Sequence, residues 1–237
     1  VTSTDEILAL AASAASPRSA AAGTETSTEV TEADLAAFSE VAARGADSDV
    51  VRVLRAIRPA APMTADPAWT AWLTATAAAA AASEATGHGE GQRAGPVHPA
   101  WLAAFAAGTA LSDSVESLPS GVTVTAAVAA GMSAAAITET GLADWGGWSS
   151  GTVAAVIGAG VTAGLLLGLT ESQRRAALGI CATQAAGLAA AEAAQAFALQ
   201  VGKAAFNGVE AALLARAGLT APAEPLDGRR GLFALFG

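Results

Sequence analysis

The segment Val153–Leu169 (VAAVIGAGVTAGLLLGL) carries a single hydroxyl and no charge over seventeen positions. A surface helix alternates an apolar stripe with a polar face, and this run has no polar face, so it predicts a helix buried on all sides or crossing a membrane. Gly160, Gly164 and Gly168 recur every fourth position and fall on one side of that helix. Each is about 1 kcal/mol less favourable there than alanine, and the expected return is a neighbouring helix brought unusually close. The pattern elsewhere is also helical. Asp5–Ala14 predicts a short helix, and Thr31-Glu32-Ala33-Asp34 resembles a capping box opening a helix to about Gly45. Asp49–Ile57 is a further short helix, and Asp66-Pro67 places an N-cap and a first-turn proline before a helix to about Glu84. His98-Pro99 starts a helix to about Ser117, Ser120–Thr140 makes another, and Thr170-Glu171-Ser172-Gln173 is a second capping box for a helix to about Gly187. Phe197–Gly218 is amphipathic and stops at its glycine. Ala189–Gln195 is ambiguous, and no segment predicts a strand.

These elements predict an all-α fold packed around the central glycine- and alanine-rich helix, with residues 1–30 as a flexible or partly helical arm and 31–237 as a single helical domain. Of the 237 residues, 53% are hydrophobic and 14% charged, which is ample material for a core. A net charge of −9 argues against nucleic acid as a partner, because that needs a basic face. The central run lacks Lys/Arg asymmetry at its ends, so burial is favoured over a membrane span. One cysteine, Cys181, excludes an internal disulfide; it sits in an apolar helix as a core thiol. The N-terminus shows no basic leader, so cytoplasm is the expected compartment.

The run GWSSGT…LLLGLTESQRRAALGICATQAAGL resembles the central motif of the MmgE/PrpD family, which includes 2-methylcitrate dehydratase and cis-aconitate decarboxylase. HPAWLAAF, SGVTVTAAVAAGMS and NGVEAALLARAGLTAP…LDGRRGLFALF resemble further motifs of that family in the right order. The resemblance covers about residues 66–237 and weakly 31–60. It implies a helical domain, commonly in a homodimer, acting on a small-molecule substrate with no cofactor and no metal. The family's next domain closes over the active site, and the sequence stops at the corner where it begins. A partner protein supplying that missing lid is therefore one expectation.

Family members eliminate water or carbon dioxide beside a carboxylate, which needs a base for a carbon acid and an acid for the leaving group. The resemblance puts the family's acidic motif on Ala82–Thr86, where the leading aspartate is Ala82 while Glu84 and Thr86 keep related chemistry. It keeps the His-Pro pair as His98-Pro99, replaces the central histidine by Ser149 or loses it, and sets Phe197–Gly202 where a lysine and a histidine stood. Lys203 and Gln200 lie nearby, Lys203 six residues beyond the position of that lysine, and its standing in for the lysine is left open.

The catalytic candidates are thus His98, Ser149, Thr86 and Glu84. Ser150, Gly151 and Thr152 stand with Ser149 at a helix N-terminus, where free N–H groups would hold a carboxylate or oxyanion; plain capping by Ser149 or Ser150 is the alternative. His98 is a base, or a residue that caps its own helix. His88 with Glu84 and Glu90 is too sparse a set for a metal site, so a binding role or a solvated loop is expected. Trp145 and Trp148 line an apolar pocket or fill a core edge. Gln200 and Lys203 are binding residues or face solvent.

Three functions remain open: a cofactor-free lyase, isomerase or cyclase of secondary metabolism such as antibiotic biosynthesis, acting on an apolar oxygenated intermediate; a non-catalytic binding or scaffold subunit; and an ordinary dehydratase or decarboxylase of a tricarboxylic-type acid.

Overall fold

The computed structural model describes residues 2–15, 29–57, 66–86, 98–142 and 147–235. These residues form nine α-helices: α1 (Ser3–Ala14), α2 (Glu32–Gly45), α3 (Asp49–Ala56), α4 (Pro67–Thr86), α5 (Pro99–Ser112), α6 (Val124–Gly141), α7 (Ser150–Leu166), α8 (Glu171–Gln184) and α9 (Ala196–Arg216). A 3-10 turn at Ala189–Ala193 precedes α9, and another lies at Phe233–Leu235. Trp148 and Leu188 form an isolated antiparallel bridge, and no strand occurs among the described residues. None of the described helices is long and apolar enough to cross a membrane.

The absent polar face of the central run has the expected consequence. From Gly151 to Leu166 every residue of α7 is buried, and α5, α6, α8 and α9 surround it. Its glycines behave differently from the regular ribbon read in the sequence. Close backbone approach occurs at Gly158, where an added Cβ would lie 2.8 Å from the Gly131 carbonyl of α6, and at Gly160, whose N lies 2.6 Å from where a Cβ on Gly208 of α9 would sit. These are two different neighbours. A Cβ on Gly164 would meet only ordinary contacts, the nearest at 3.5 Å. Gly168 lies beyond the helix at φ 65°. There the N–H of Leu169 bonds the Gly164 carbonyl at 3.0 Å and that of Gly168 bonds Leu165 at 3.1 Å, a Schellman stop that needs a left-handed residue.

Both capping boxes form, with Thr31 and Asp34 on α2 and Thr170 and Gln173 on α8. Asp66 accepts the Trp69 N–H at 3.0 Å at the head of α4. Several ends depart from the sequence reading. α5 stops at Ser112 rather than Ser117, and α6 starts at Val124 rather than Ser120, because Gly121 at φ 81° turns the chain and Thr123 caps the helix. α8 stops at Gln184 rather than Gly187, with its terminal carbonyl accepting from Asn207 Nδ2 at 3.2 Å. α7 begins two residues early, at Ser150 rather than Thr152.

α1 is tied down at its head. Ser3 N, Thr4 N and the Thr4 hydroxyl donate to the Asp227 carboxylate at 3.1, 2.9 and 3.0 Å. Arg175 of α8 then bridges Asp5 at 3.0 Å and Glu224 at 3.5 Å. The N-terminal helix and the C-terminal corner are thereby fastened together.

Candidate functional site

The start of α7 gathers polar groups from four elements. His98 is the N-cap of α5, and its Nδ1 accepts the Ala100 N–H at 3.3 Å. In the neutral ring that leaves the proton on Nε2, which lies 3.3 Å from Oε2 of Glu139 in the last turn of α6. Glu139 Oε1 accepts the Ser150 hydroxyl at 3.0 Å. The His98 hydrogen bond, aided by the Ser150 bond, outweighs burial and holds the Glu139 carboxyl below the usual carboxylate range. Gly151 makes room for the ring, since a Cβ there would lie 3.2 Å from His98 Nε2 and Cε1.

A second carboxylate stands on the other side. Ser149, though N-cap of α7 by position, caps no backbone N–H of the helix with its side chain. Its hydroxyl donates to Glu192 at 2.8 Å and lies 2.9 Å from the Thr152 hydroxyl. The 3-10 turn carrying Glu192 is held against Trp148 by paired backbone bonds, Ser149 N to Gly187 O at 3.1 Å and Ala189 N to Gly147 O at 3.0 Å. Gln200 then clasps the same turn, accepting from Leu188 N at 2.7 Å and donating to Leu188 O at 3.3 Å. Ser150 and Gly151, the first two residues of α7, have N–H groups with no acceptor among the described residues, as the first turn of a helix leaves them.

His98, Ser149, Ser150, Gly151 and Thr152 are therefore brought together, and Glu139 and Glu192 join them. Neither glutamate is singled out by the sequence reading. Each is the lone charge in an alanine-rich stretch, Glu139 in α6 and Glu192 between α8 and α9; that isolation is the signal that would find them. The other candidates lie elsewhere. Glu84 is exposed and lines a cleft of about 350 Å³ with Asp47, Asp49 and Gln195, a cleft that includes no member of the His98 cluster. Thr86 is the last residue of α4. Lys203 Nζ sits 3.8 Å from the Phe206 ring centre and 4.7 Å from that of Trp72. Burial lowers its pKa while Glu210 opposes the shift. Trp148 is partly exposed at the bridge. His88 and Trp145 lie outside the described residues. The described residues hold no group of three or more His, Cys, Asp and Glu that would grip a metal. Cys181 is fully buried, and burial pushes its thiol up to about 12.

The model of the MmgE/PrpD N-terminal domain matches residues 59–237, three quarters of the chain and every residue of this cluster. The chain belongs to the MmgE/PrpD family. No curated protein matches it. For an MmgE/PrpD helical domain the arrangement offers a carboxylate–imidazole pair able to pass a proton, a second carboxylate within a hydroxyl relay, and two unspent N–H donors. α1, α2 and α3 precede the matched residues and pack onto them.

Proposed function

We propose that this chain is a cofactor-free lyase, isomerase or cyclase that acts on an apolar oxygenated intermediate at the N-terminus of α7. One observation carries the reading: His98, Glu139 and Glu192, from three separate elements, converge with the hydroxyls of Ser149, Ser150 and Thr152 beside the unspent N–H groups of Ser150 and Gly151. Those N–H groups and the helix dipole would steady a carbonyl or carboxylate oxygen as negative charge develops on it. Glu139, held ionised, would take a proton from the carbon beside that oxygen; His98 would give its Nε2–H to the departing or newly formed group as Glu139, 3.3 Å away, hands the captured proton to Nε2, so the pair returns to its starting state. Holding a reactive conformer would add to the rate wherever ring closure is the step.

The test needs no known substrate. The protein is incubated in D2O with a panel of β-hydroxy and β-keto acids, 2-methylcitrate and cis-aconitate included. Deuterium entry beside the carboxyl or carbonyl is followed by NMR. Exchange above the buffer rate, lost in Glu139→Gln and in His98→Ala with the helical circular dichroism intact, is expected. Equal exchange in the wild type and both variants sinks the proposal.

A second reading, a non-catalytic binding subunit completed by another chain, draws on the fact that both ring nitrogens of His98 and the hydroxyls of Ser149 and Ser150 already have protein partners. Absence of any exchange, together with co-purification of a second chain, supports that reading.

A further inference from the structure

Between α2, α5 and α6 lies an apolar cavity of about 220 Å³ that the proton-moving groups do not use. Val30, Phe38, Val41, Trp101, Phe105 and Met132 line it. Phe38 of α2 and Phe105 of α5 stack at 5.4 Å and 28°, which fixes one wall, and the Met132 thioether adapts to what it meets. An apolar cavity of about 150 Å³ takes up benzene, so this one admits an apolar group of about six carbons or more. Apolar, aromatic-lined cavities with a few polar groups at hand are where small molecules bind. α2, which supplies one side, precedes the residues matched to the family model.

The helices that hold the cavity also hold the His98–Glu139 pair. α5 and α6 run antiparallel: His98 at the start of α5 meets Glu139 near the end of α6, while a Cβ on Gly108 would meet Val128 and Val124. His98, Trp101 and Phe105 recur at three and four positions on one side of α5, and Met132 and Glu139, seven apart, share a side of α6. The His98–Glu139 pair therefore stands about two turns, or about 10 Å, along the helices from the level of Phe105 and Met132. On that side of α6 only Ala135 and Ala136 come between, and Ala136 is exposed, so no bulky α6 side chain closes the way. Two carboxylates, Glu29 and Asp34, are exposed members of the lining. They repel an anionic oxygen, whereas the N–H groups at the head of α7 attract one, and that difference sets which end of a ligand goes where. We propose that this cavity receives the hydrocarbon end of the substrate whose carbonyl or carboxylate oxygen sits at the head of α7. The substrate class is then an acid or ketone whose apolar chain or ring reaches about 10 Å from its oxygens. The proposal rests on the reading of the α7 head as the reacting site.

Titration calorimetry of the whole chain with butanoate, octanoate, decanoate and dodecanoate, each below its micelle concentration, tests this, with circular dichroism as the check on folding. Decanoate is expected to bind more tightly than butanoate by about tenfold or more, with about a fourfold gain for each methylene that enters the cavity. Val41→Trp, which fills the cavity, is expected to abolish the gain and leave butanoate as it was. Phe38→Leu, which widens the cavity, is expected to raise the affinity of dodecanoate relative to decanoate. Affinity independent of chain length in the wild type overturns the proposal, and so does a gain that folded Val41→Trp and folded Phe38→Leu both leave unchanged. The deuterium-exchange assay reads the α7 chemistry separately. Exchange on short acids with no gain from chain length keeps that chemistry and overturns this proposal. A chain-length gain abolished by Val41→Trp, with no exchange on any acid, keeps the cavity as the hydrocarbon site and removes the chemistry.

Discussion

Gly158→Ala and Gly164→Ala make the same chemical change on the same buried helix, and the packing around them predicts opposite signs. At Gly158 the new Cβ would lie 2.8 Å from the Gly131 carbonyl oxygen and 3.2 Å from the Ala135 Cβ, so α6 and α7 must part by several tenths of an ångström. Overpacking of this kind costs about 1–3 kcal/mol, while alanine returns about 1 kcal/mol of helix propensity. The 2.8 Å contact is with backbone, which cannot swing aside, so the upper part of that range applies, about 2–3 kcal/mol, and the net is roughly 1–2 kcal/mol of destabilisation. At Gly164 the Cβ would meet Leu169 Cδ1 at 3.5 Å and Arg174 Cγ at 3.7 Å, both ordinary contacts. There the propensity gain stands nearly alone, at up to about 1 kcal/mol. In a chain of this length 1 kcal/mol moves Tm by about 2–4 °C. Thermal and urea unfolding, followed by far-ultraviolet circular dichroism, should show Gly158→Ala below the wild type by about 2–8 °C and Gly164→Ala above it by about 2–4 °C. Shifts of the same sign and similar size in both variants would refute the idea that close helix approach, rather than a general glycine requirement, shapes α7.

The remaining predictions concern ends and buried groups. Burial pushes the Asp227 carboxyl up, but the N–H groups of Thr4 and Ser3, with their hydroxyls, outweigh it and leave the carboxyl below the usual range. A folded value below the unfolded one gives stability that is present above about pH 4 and lost as pH falls through the folded value. Amide-exchange protection of α1 should therefore drop on acidification below about pH 4. In Asp227→Asn the protection should already be reduced at neutral pH and the acid step smaller; an unchanged profile would show that Asp227 does not hold α1. Cys181, buried and with its thiol pushed up to about 12, should resist thiol reagents in the native protein at pH 8 and react on denaturation. Rapid native labelling would show that α7, α8 and α9 part readily around it.

The sequence was most legible where a few neighbouring residues decide the outcome. The capping boxes at Thr31 and Thr170, the Asp66-Pro67 start and the Gly218 stop are local events. The burial of α7 was legible for a different reason: a helix without a polar face must be buried on all sides or cross a membrane, and the lack of Lys/Arg asymmetry at its ends favoured burial. Boundaries set by tertiary contacts were not. The end of α8 depends on Asn207, twenty-three residues away. Gly168 matched the helical spacing of Gly160 and Gly164, and only its left-handed backbone separates a stop signal from a packing glycine. At the candidate site the hydroxyls of Ser149 and Ser150 were readable from their place before the apolar run. Their acceptors were not: Glu192 lies forty-three residues from Ser149 and Glu139 eleven from Ser150, at intervals that no local rule anticipates.

Gln200 spends both ends of its amide on the backbone of Leu188, four residues before Glu192. The position of one carboxylate at the head of α7 is thereby tied to the first turns of α9, the helix on which Leu199 stands exposed. Any event that tilts or translates α9 reaches Glu192 both along the chain, which runs from the 3-10 turn straight into α9, and through this side chain, so mechanical linkage between α9 and the polar cluster is built into ordinary covalent and hydrogen bonds.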